Sequence, residues 1–233
     1  MSDQQVSPQL DEKHGEYPEQ QARLKITEIF YSLQGEARNV GLPTVFVRLT
    51  GCPLRCSYCD TAYAFSGGEW MDIRAIVQQV KKFKTRHVTV TGGEPLAQKN
   101  CVELLRQLCD LGYDVSLETS GAIAIDAVDE RVVKILDVKT PASGEVSKNR
   151  LENFSQLKAE DQIKFVICDA NDYYWSKLFV EQHQLENKCE ILFSPGNAEL
   201  DAVTLADWIL SDQLNVRFQI QLHKYLWGDK PGV

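Results

Sequence analysis

The stretch RLTGCPLRCSYCDTAYAF, residues 48–65, places three cysteines within eight positions. Cys52, Cys56 and Cys59 come directly after an apolar, β-branched run, TVFVRLTG (44–51), which predicts a buried strand. Thiolates spaced by four and three residues in one loop can surround a compact metal centre. The spacing therefore predicts a metal site at the carboxyl end of this strand.

The identity of the metal depends on where a fourth ligand would come from. Structural zinc usually takes four ligands in two separated pairs, and no second closely spaced pair follows in the sequence. The remaining cysteines are spread along the chain and receive no role: Cys101, Cys109, Cys168 and Cys189. An iron–sulfur cluster normally takes four cysteines, so three would leave one iron open to another ligand. We favour such a cluster, with structural zinc and three cysteines without a metal as the alternatives.

The composition is that of an ordinary globular protein with one sizeable core. The chain has 233 residues, of which 43% are hydrophobic and 25% are charged. Its net charge of −8 repels a phosphate backbone, so we expect no nucleic-acid partner. No apolar run approaches the roughly 20 residues of a membrane helix, and the first residues lack the apolar segment of a signal peptide. We therefore expect no membrane association and a cytoplasmic location, where thiols stay reduced.

The chain divides into a polar leader and one domain. Residues 1–23 are rich in Gln and Glu and are expected to be flexible, and residues 24–233 form the domain. Runs with strand character occur at 44–51, 87–93, 114–121, 132–139, 162–169, 190–196 and 216–223, after a leading strand or hairpin at 24–32. Helical patterns cover 72–84, with Asp72 as N-cap, and 99–111, with weaker ones at 149–158, 171–184 and 200–211.

This alternation predicts right-handed βαβ units, a parallel sheet and an α/β fold of the incomplete (β/α)6-barrel type. In such folds function collects at the carboxyl ends of the strands. Those ends carry the unusual residues of this chain: TGGEP (91–95), ETSG (118–121), DVKT (137–140), SPG (194–196) and HK (223–224). Their convergence on one rim predicts a single active site.

The cysteine spacing and the glycine-rich strand end together resemble the radical S-adenosylmethionine (SAM) enzymes. Cys-x3-Cys-x2-Cys follows the first strand, Tyr58 occupies the aromatic position before the last cysteine, and TGGEP follows the second strand. The resemblance implies that Cys52, Cys56 and Cys59 hold a [4Fe-4S] cluster whose open iron binds SAM. It also implies that one electron cleaves SAM to methionine and a 5′-deoxyadenosyl radical.

Longer blocks resemble one family of radical SAM enzymes, the 7-carboxy-7-deazaguanine synthases. The blocks are FYSLQGE (30–36), VRLTGCPLRCSYCDTAYAF (47–65), TGGEP (91–95), LETSG (117–121) and QLHKYLWGDKPG (221–232). The resemblance implies a lyase that converts 6-carboxy-5,6,7,8-tetrahydropterin to 7-carboxy-7-deazaguanine with release of ammonia, on the route to queuosine. It further implies magnesium beside the cluster and SAM.

The same resemblance assigns roles to residues at the predicted rim. Thr61 would bind Mg²⁺. The substrate would contact Leu33, Gln34, Gly35, Arg48, Thr91, His223, Lys224 and Pro231. SAM would contact Tyr58, Asp60, Gly92, Gly93, Glu94, Glu118, Ser120, Asp137, Val138 and Lys139.

Several of these assignments have structural alternatives. Leu33, Gln34 and Gly35 could form a plain turn after the leading strand. Arg48 can clamp a carboxylate with two parallel hydrogen bonds, or form an outward-facing salt bridge. Lys139 either points into the barrel, where it needs a partner, or is exposed at the rim. Thr61 is a poor metal ligand by itself, so substrate oxygens and waters would have to complete the magnesium shell; otherwise it is a capping or turn residue.

The implied reaction also defines partners. The resemblance implies a small-molecule pterin substrate and an external electron donor of the flavodoxin or ferredoxin type. An open-sided barrel needs covering, so we expect a homodimer. The nearest alternative is another radical SAM enzyme, such as a glycyl-radical activase, which would lack the SLQGE (32–36) and HKYLW (223–227) blocks. A non-enzymic zinc or iron–sulfur scaffold is the alternative from another class.

Overall fold

The computed structural model describes residues 22–196, 199–230 and 232–233, and these contain one nine-stranded sheet. Its strands are β1 Arg23–Leu33, β2 Pro43–Leu49, β3 Glu69–Asp72, β4 His87–Gly92, β5 Asp114–Thr119, β6 Val133–Val138, β7 Gln162–Ile167, β8 Glu190–Pro195 and β9 Arg217–Phe218. Their order across the sheet is β3-β1-β2-β4-β5-β6-β7-β8-β9. Every pair from β2 to β9 is parallel, whereas β1 pairs antiparallel with β2 and β3.

The α-helices lie between the parallel strands and at the end of the chain. They are α1 Ile73–Val80, α2 Cys101–Asp110, α3 Ala170–Gln182, α4 Ala202–Ser211 and α5 Leu222–Trp227. Short 3-10 turns cover Ala62–Phe65, Pro95–Ala97, Pro141–Ser143, Val146–Lys148, Leu151–Gln156 and Leu185–Asn187.

The core forms where the apolar stripe of each helix packs on the sheet. In α1, residues 73, 76, 77 and 80 recur at helical spacing, and all four side chains are buried in the same cluster as Val45 and Val47 of β2. Burying one such side chain contributes roughly 1.5–3 kcal/mol. This packing fixes the sheet, and therefore fixes where the loops at its carboxyl edge begin.

The sheet is open, because β3 and β9 lie at its two edges and do not pair with each other. The predicted α/β fold with an incomplete barrel of parallel strands is confirmed. The leading hairpin is also confirmed, since β1 pairs with β2 in an antiparallel register from Ile26↔Leu49 to Leu33↔Pro43.

The prediction for the last strand was wrong over most of its length. The run 216–223 contains only the two-residue strand β9, and residues 222–227 form α5, so His223 and Lys224 lie on a helix and do not end a strand. The chain leaves the sheet at Gln219, whose side-chain amide accepts from Ala37 N at 2.6 Å and donates to Ala37 O at 2.8 Å. At this point the Gln219 side chain makes the two hydrogen bonds that a neighbouring strand's backbone would otherwise make.

Two further elements differ from the sequence-based expectation. The segment 149–158 contains a 3-10 helix, Leu151–Gln156, where an α-helix was expected. Strand β3 was not anticipated, because its four residues are too few to show a period. Asp72 does occupy the N-cap of α1, but its carboxylate makes no capping hydrogen bond and lies 3.4 Å from Arg23 Nε.

Some predictions fall outside the described ranges. The leader was predicted over 1–23; residues 1–21 are not described, and Arg23 already begins β1. Pro231 also lies outside. Over the ranges that are described, none of the helices combines the length and apolar character required to cross a bilayer.

Candidate active site

A cavity of about 600 Å³ opens at the carboxyl edge of the sheet, a size typical of small-molecule sites. Its wall comes from the ends of β1, β2 and β4 to β8, from the cysteine loop (52–65) and from α5. Parallel strands in register present partner residues to one face, so Arg48 pairs with Thr91 and Asp137 with Lys164 across neighbouring strands. All four of these residues line the cavity.

The three thiols of Cys52, Cys56 and Cys59 are free, half-buried and part of the cavity wall. Gly93 allows this arrangement, because a Cβ there would lie 2.6 Å from Cys52 Cβ and would also strike the Gly51 carbonyl. The loop after β4 therefore packs directly on the cysteine loop.

The donor set fits an iron–sulfur centre better than a single metal ion. No three His, Cys, Asp or Glu side chains in residues 22–196, 199–230 and 232–233 gather closely enough to hold one ion, as structural zinc would require. Burial raises the pKa of the Cys52 thiol and raises that of Cys56 to about 11. Iron binds the thiolate, so loading the site releases protons.

Glu94 lies behind the cavity wall. Its carboxylate is fully buried and accepts hydrogen bonds from Leu96 N at 3.0 Å, from Thr119 Oγ1 at 3.0 Å, and from Ser120 N and Oγ at 2.7 and 2.5 Å. Thr119 and Ser120 line the cavity, whereas Glu94 does not. The glutamate of the TGGEP segment thus fixes the end of β5.

A charged network forms the inner wall of the cavity. Lys139 is buried, and its Nζ lies 3.2 Å from Asp137 Oδ2; Lys164 Nζ lies 3.7 Å from the same oxygen and pairs closely with Glu36. Burial opposes the charge of Lys139, but Asp137 holds the pKa of that amine above its ordinary value. The rim-exposed alternative for Lys139 is therefore wrong.

The pKa values of two carboxylates in this network, Glu36 and Glu118, shift in opposite directions. Burial alone would raise the pKa of Glu36, but Lys164 and a 2.7 Å hydrogen bond from Gln221 hold that pKa below its usual value. Burial and the negative charge of Glu36 raise the pKa of Glu118. The site thus favours the ionised form of Glu36 more, and that of Glu118 less, than water does.

Comparison with known proteins identifies the family. The Radical SAM superfamily model matches residues 46–140. The 7-carboxy-7-deazaguanine synthase of Chlorobaculum tepidum is 45% identical over 217 residues, covering 91% of this chain and 99% of the relative. That of Koribacter versatilis is 44% identical, covering 88% and 97% respectively. This chain belongs to the 7-carboxy-7-deazaguanine synthase family.

A solved structure agrees on the fold. QueE from Escherichia coli superposes with a TM-score of 0.71 at 21% sequence identity, covering 86% of this chain and 95% of the other. Membership of the radical SAM superfamily implies a [4Fe-4S] cluster and SAM, and the three cavity thiols fit the cluster. This member of the synthase family is a radical SAM enzyme.

Most of the residues expected to contact ligands in a synthase line the one cavity. The substrate candidates there are Leu33, Gln34, Gly35, Arg48, Thr91, His223 and Lys224. The SAM and magnesium candidates there are Tyr58, Asp60, Thr61, Gly92, Gly93, Glu118, Ser120, Asp137 and Lys139. Glu94 and Val138 are buried outside the cavity wall, and Pro231 lies outside the described residues.

The polar groups expected to meet the substrate are already oriented. The Gln34 amide donates to Thr89 Oγ1 at 3.1 Å and to Glu118 Oε1 at 3.3 Å, which fixes its plane. Arg48 Nε donates to Glu28 Oε1 at 2.7 Å, so Arg48 forms a salt bridge and lines the cavity at the same time.

Sequence reasoning gave no role to several residues of the synthase cavity, and three of them, Glu36, Lys164 and Gln221, belong to its hydrogen-bonded polar network. Glu36 and Gln221 stand inside the SLQGE and QLHKYLW blocks but received no role. Lys164 had a signal of its own, because a lysine inside the apolar run QIKFVICD (162–169) must have a polar partner if the strand is buried.

Proposed function

We propose that this chain catalyses the conversion of 6-carboxy-5,6,7,8-tetrahydropterin to 7-carboxy-7-deazaguanine with release of ammonia. The observation that carries the proposal is that one cavity joins the three free thiols to Gln34, Arg48 and His223. A radical enzyme must hold one substrate C–H bond beside its cofactor and exclude water. A recessed cavity with the cluster thiols and the substrate-binding side chains in the same wall meets that need.

The cofactors are a [4Fe-4S] cluster and SAM. Cys52, Cys56 and Cys59 would hold the cluster, which when bound would supply one-electron reduction of SAM. Gly92 and Gly93 allow the loop after β4 to pack directly on Leu49, Gly51 and Cys52, which brings its backbone beside the SAM site. The Asp137–Lys139 pair and Ser120, held by Glu94, supply fixed charges and hydrogen-bond groups to the bound sulfonium reagent.

The protein binds the pterin by its two polar ends. Arg48 offers a guanidinium to the substrate carboxylate. Gln34 supplies an amide, and Glu36, kept ionised by Lys164, supplies an acceptor for the amino and ring N–H groups of the pterin. These groups orient one ring hydrogen toward the cofactor.

Thr61 would help to hold Mg²⁺, which would supply positive charge for the substrate carboxylate. The Thr61 hydroxyl lies 2.7 Å from Asp60 Oδ1, and both residues face the cavity, so hard oxygen donors are available there. Substrate oxygens and waters would complete the shell. Removing Mg²⁺ is expected to raise the KM for the pterin.

The partners follow from the same proposal. An external flavodoxin- or ferredoxin-type protein delivers the electron, and a second copy of the chain forms a homodimer. Tyr225, Leu226 and Trp227 support a subunit contact, because α5 leaves these large apolar side chains exposed. The acidic chain has no nucleic-acid partner.

The deciding experiment is anaerobic reconstitution of the cluster, followed by incubation with SAM, reductant, Mg²⁺ and the carboxypterin. The expected product is 7-carboxy-7-deazaguanine with one ammonia per turnover. SAM cleavage without a deazaguanine product would indicate another radical SAM reaction. A colourless protein with bound zinc and no SAM cleavage would indicate a scaffold.

A further inference from the structure

The segment that follows β6 contacts the cysteine loop just before Cys56. Glu145 Oε1 accepts a hydrogen bond from Arg55 N at 2.5 Å. The Arg55 guanidinium turns back to donate to Cys52 O at 2.8 Å. Arg55 therefore links the two parts of the chain: its backbone amide binds Glu145, and its side chain binds the Cys52 carbonyl at the start of the loop.

The same segment holds the chain just after Cys56. Ser57 Oγ donates to Ala142 O at 2.5 Å, and Ser57 N donates to Ser143 O at 3.2 Å. Three hydrogen bonds thus flank Cys56, one on its N-terminal side and two on its C-terminal side. None of them is part of the sheet.

Helix α3 anchors this segment from beneath. The fully buried carboxylate of Asp172 lies 3.0 Å from Thr140 Oγ1 and accepts from Ala142 N at 2.9 Å and from Cys168 N at 3.1 Å. Ser143 Oγ donates to Thr140 O at 2.6 Å, which closes the turn. A buried carboxylate with several donors is a rigid anchor.

A second clamp holds the start of the segment at Lys139. The Asn149 side chain accepts from Lys139 N at 2.8 Å and donates to Lys139 O at 2.8 Å. Gly144 has a φ of 75°, a conformation that favours glycine and that reverses the chain so that Glu145 faces the cysteine loop. The segment is therefore fixed at both ends.

We propose that residues 140–145 act as a positioning clamp for Cys56, with Glu145 and Ser57 as its contacts and Asp172 as its anchor. The clamp sets the direction of the Cys56 thiol before iron arrives and slows its release afterwards. This proposal rests on the proposed function only in that Cys56 is taken as a cluster ligand. No residue of the clamp needs to touch SAM or the pterin.

The first test uses the cluster-free protein. Hydrogen exchange of the Arg55 and Ser57 amides, and alkylation of Cys56 followed by mass spectrometry, are measured in wild type, Glu145→Ala and Ser57→Ala. Losing one hydrogen bond is expected to speed exchange and alkylation in the loop by about fivefold. Thermal unfolding of the same proteins shows that the fold is retained.

The second test uses the reconstituted protein. Loss of the cluster to a chelator, followed by absorbance, is expected to be about threefold to tenfold faster in Glu145→Ala and Ser57→Ala than in wild type. Glu145→Gln keeps an oxygen acceptor and Ser57→Thr keeps a hydroxyl, so both are expected to restore wild-type rates. If the alanine variants acted only by loosening another part of the structure, these two conservative variants would not restore the wild-type rates.

Glu152→Ala is the matched control, because this glutamate lies in the neighbouring 3-10 turn with its side chain 75% exposed. It should behave as wild type in both tests. Wild-type exchange, alkylation and cluster release in both alanine variants would overturn the clamp. If wild type takes up no cluster, the proposed function fails, while the cluster-free measurements still decide the clamp.

Discussion

The Cα atom of Gly35 lies against the imidazole ring of His223. A Cβ at residue 35 would overlap His223 Nδ1 and come within 3.0 Å of Cγ. The Gly35 carbonyl also accepts a 2.9 Å hydrogen bond from Leu222 N. The turn after β1 and helix α5 therefore form one continuous part of the cavity wall, although they stand at opposite ends of the domain sequence.

Gly35→Ala is expected to displace His223 and to lower kcat/KM for the carboxypterin by about 10²-fold, because a misplacement of about 1 Å has that effect. Steady-state kinetics on the reconstituted enzyme measure the change. In a His223→Ala background the same substitution should have a much smaller effect, since the clashing ring is absent. Equal effects in both backgrounds would contradict the contact.

Gly93→Ala is expected to reduce cluster uptake. The added methyl meets Cys52 Cβ at 2.6 Å and the Gly51 backbone, and overpacking of this kind costs about 1–3 kcal/mol. Iron and sulfide per chain after reconstitution provide the measurement. Gly196→Ala is the control, because its methyl meets the Glu199 and Cys168 side chains instead of the cysteine loop. Equal iron content in the two variants would show that the clash with Cys52 does not limit cluster uptake.

Lys164→Met is expected to destabilise the fold by about 3–5 kcal/mol, because it leaves the carboxylate of Glu36 buried without its partner. Adding Glu36→Gln should recover much of the loss, which denaturant unfolding would show. Simple additivity of the two losses would contradict the pairing.

The Glu36–Lys164 pair also predicts a dependence on pH. The folded pKa of Glu36 is held below the ordinary 4.5, so its stabilisation is present above about pH 4.5 and is lost as the pH falls further. The stability difference between wild type and Glu36→Gln should therefore shrink in acid. A difference that stays constant down to about pH 3 would exclude this linkage.

Glu118→Gln should show the opposite dependence. Because the folded pKa of Glu118 is raised above 4.5, the folded wild type holds this proton more tightly than the unfolded chain does, and wild type loses stability as the pH rises through that interval. The amide variant lacks this loss. Its unfolding free energy relative to wild type should therefore rise with pH from about 4.5, whereas a flat difference would contradict the assigned shift.

Residues at strand ends were predictable because their positions follow from local pattern. Cys52, Thr91 and Asp137 each end a recognisable apolar run, and parallel strands bring such ends to one edge. Lys164 was missed because it lies inside its strand, on the face that points into the open barrel. A sequence shows which face of the sheet an interior residue occupies only when apolar and polar residues alternate along the strand. The residues around Lys164 do not alternate in this way.

His223 shows the other limit. Its place in the cavity was predicted, but its position on a helix was not. The chain leaves the sheet where the Gln219 side chain hydrogen-bonds to the backbone of Ala37, a residue far away in sequence. Glu94 shows a third limit. Its motif was recognised, yet the direction of its carboxylate depends on Thr119, which ends the neighbouring strand β5, and on Ser120 directly after it.

The sequence by itself determined the parallel α/β architecture, the cysteine loop and the edge of the sheet where the site lies, because these depend on periodicity and on spacing within short segments. The tertiary structure alone decided that the pKa values of Glu36 and Glu118 shift in opposite directions, that Glu94 acts from behind the wall, and that residues 140–145 bind the chain on both sides of Cys56. Those outcomes depend on distances between segments remote in sequence. Electrostatic and hydrogen-bond energies change steeply over such distances, and no local pattern records them.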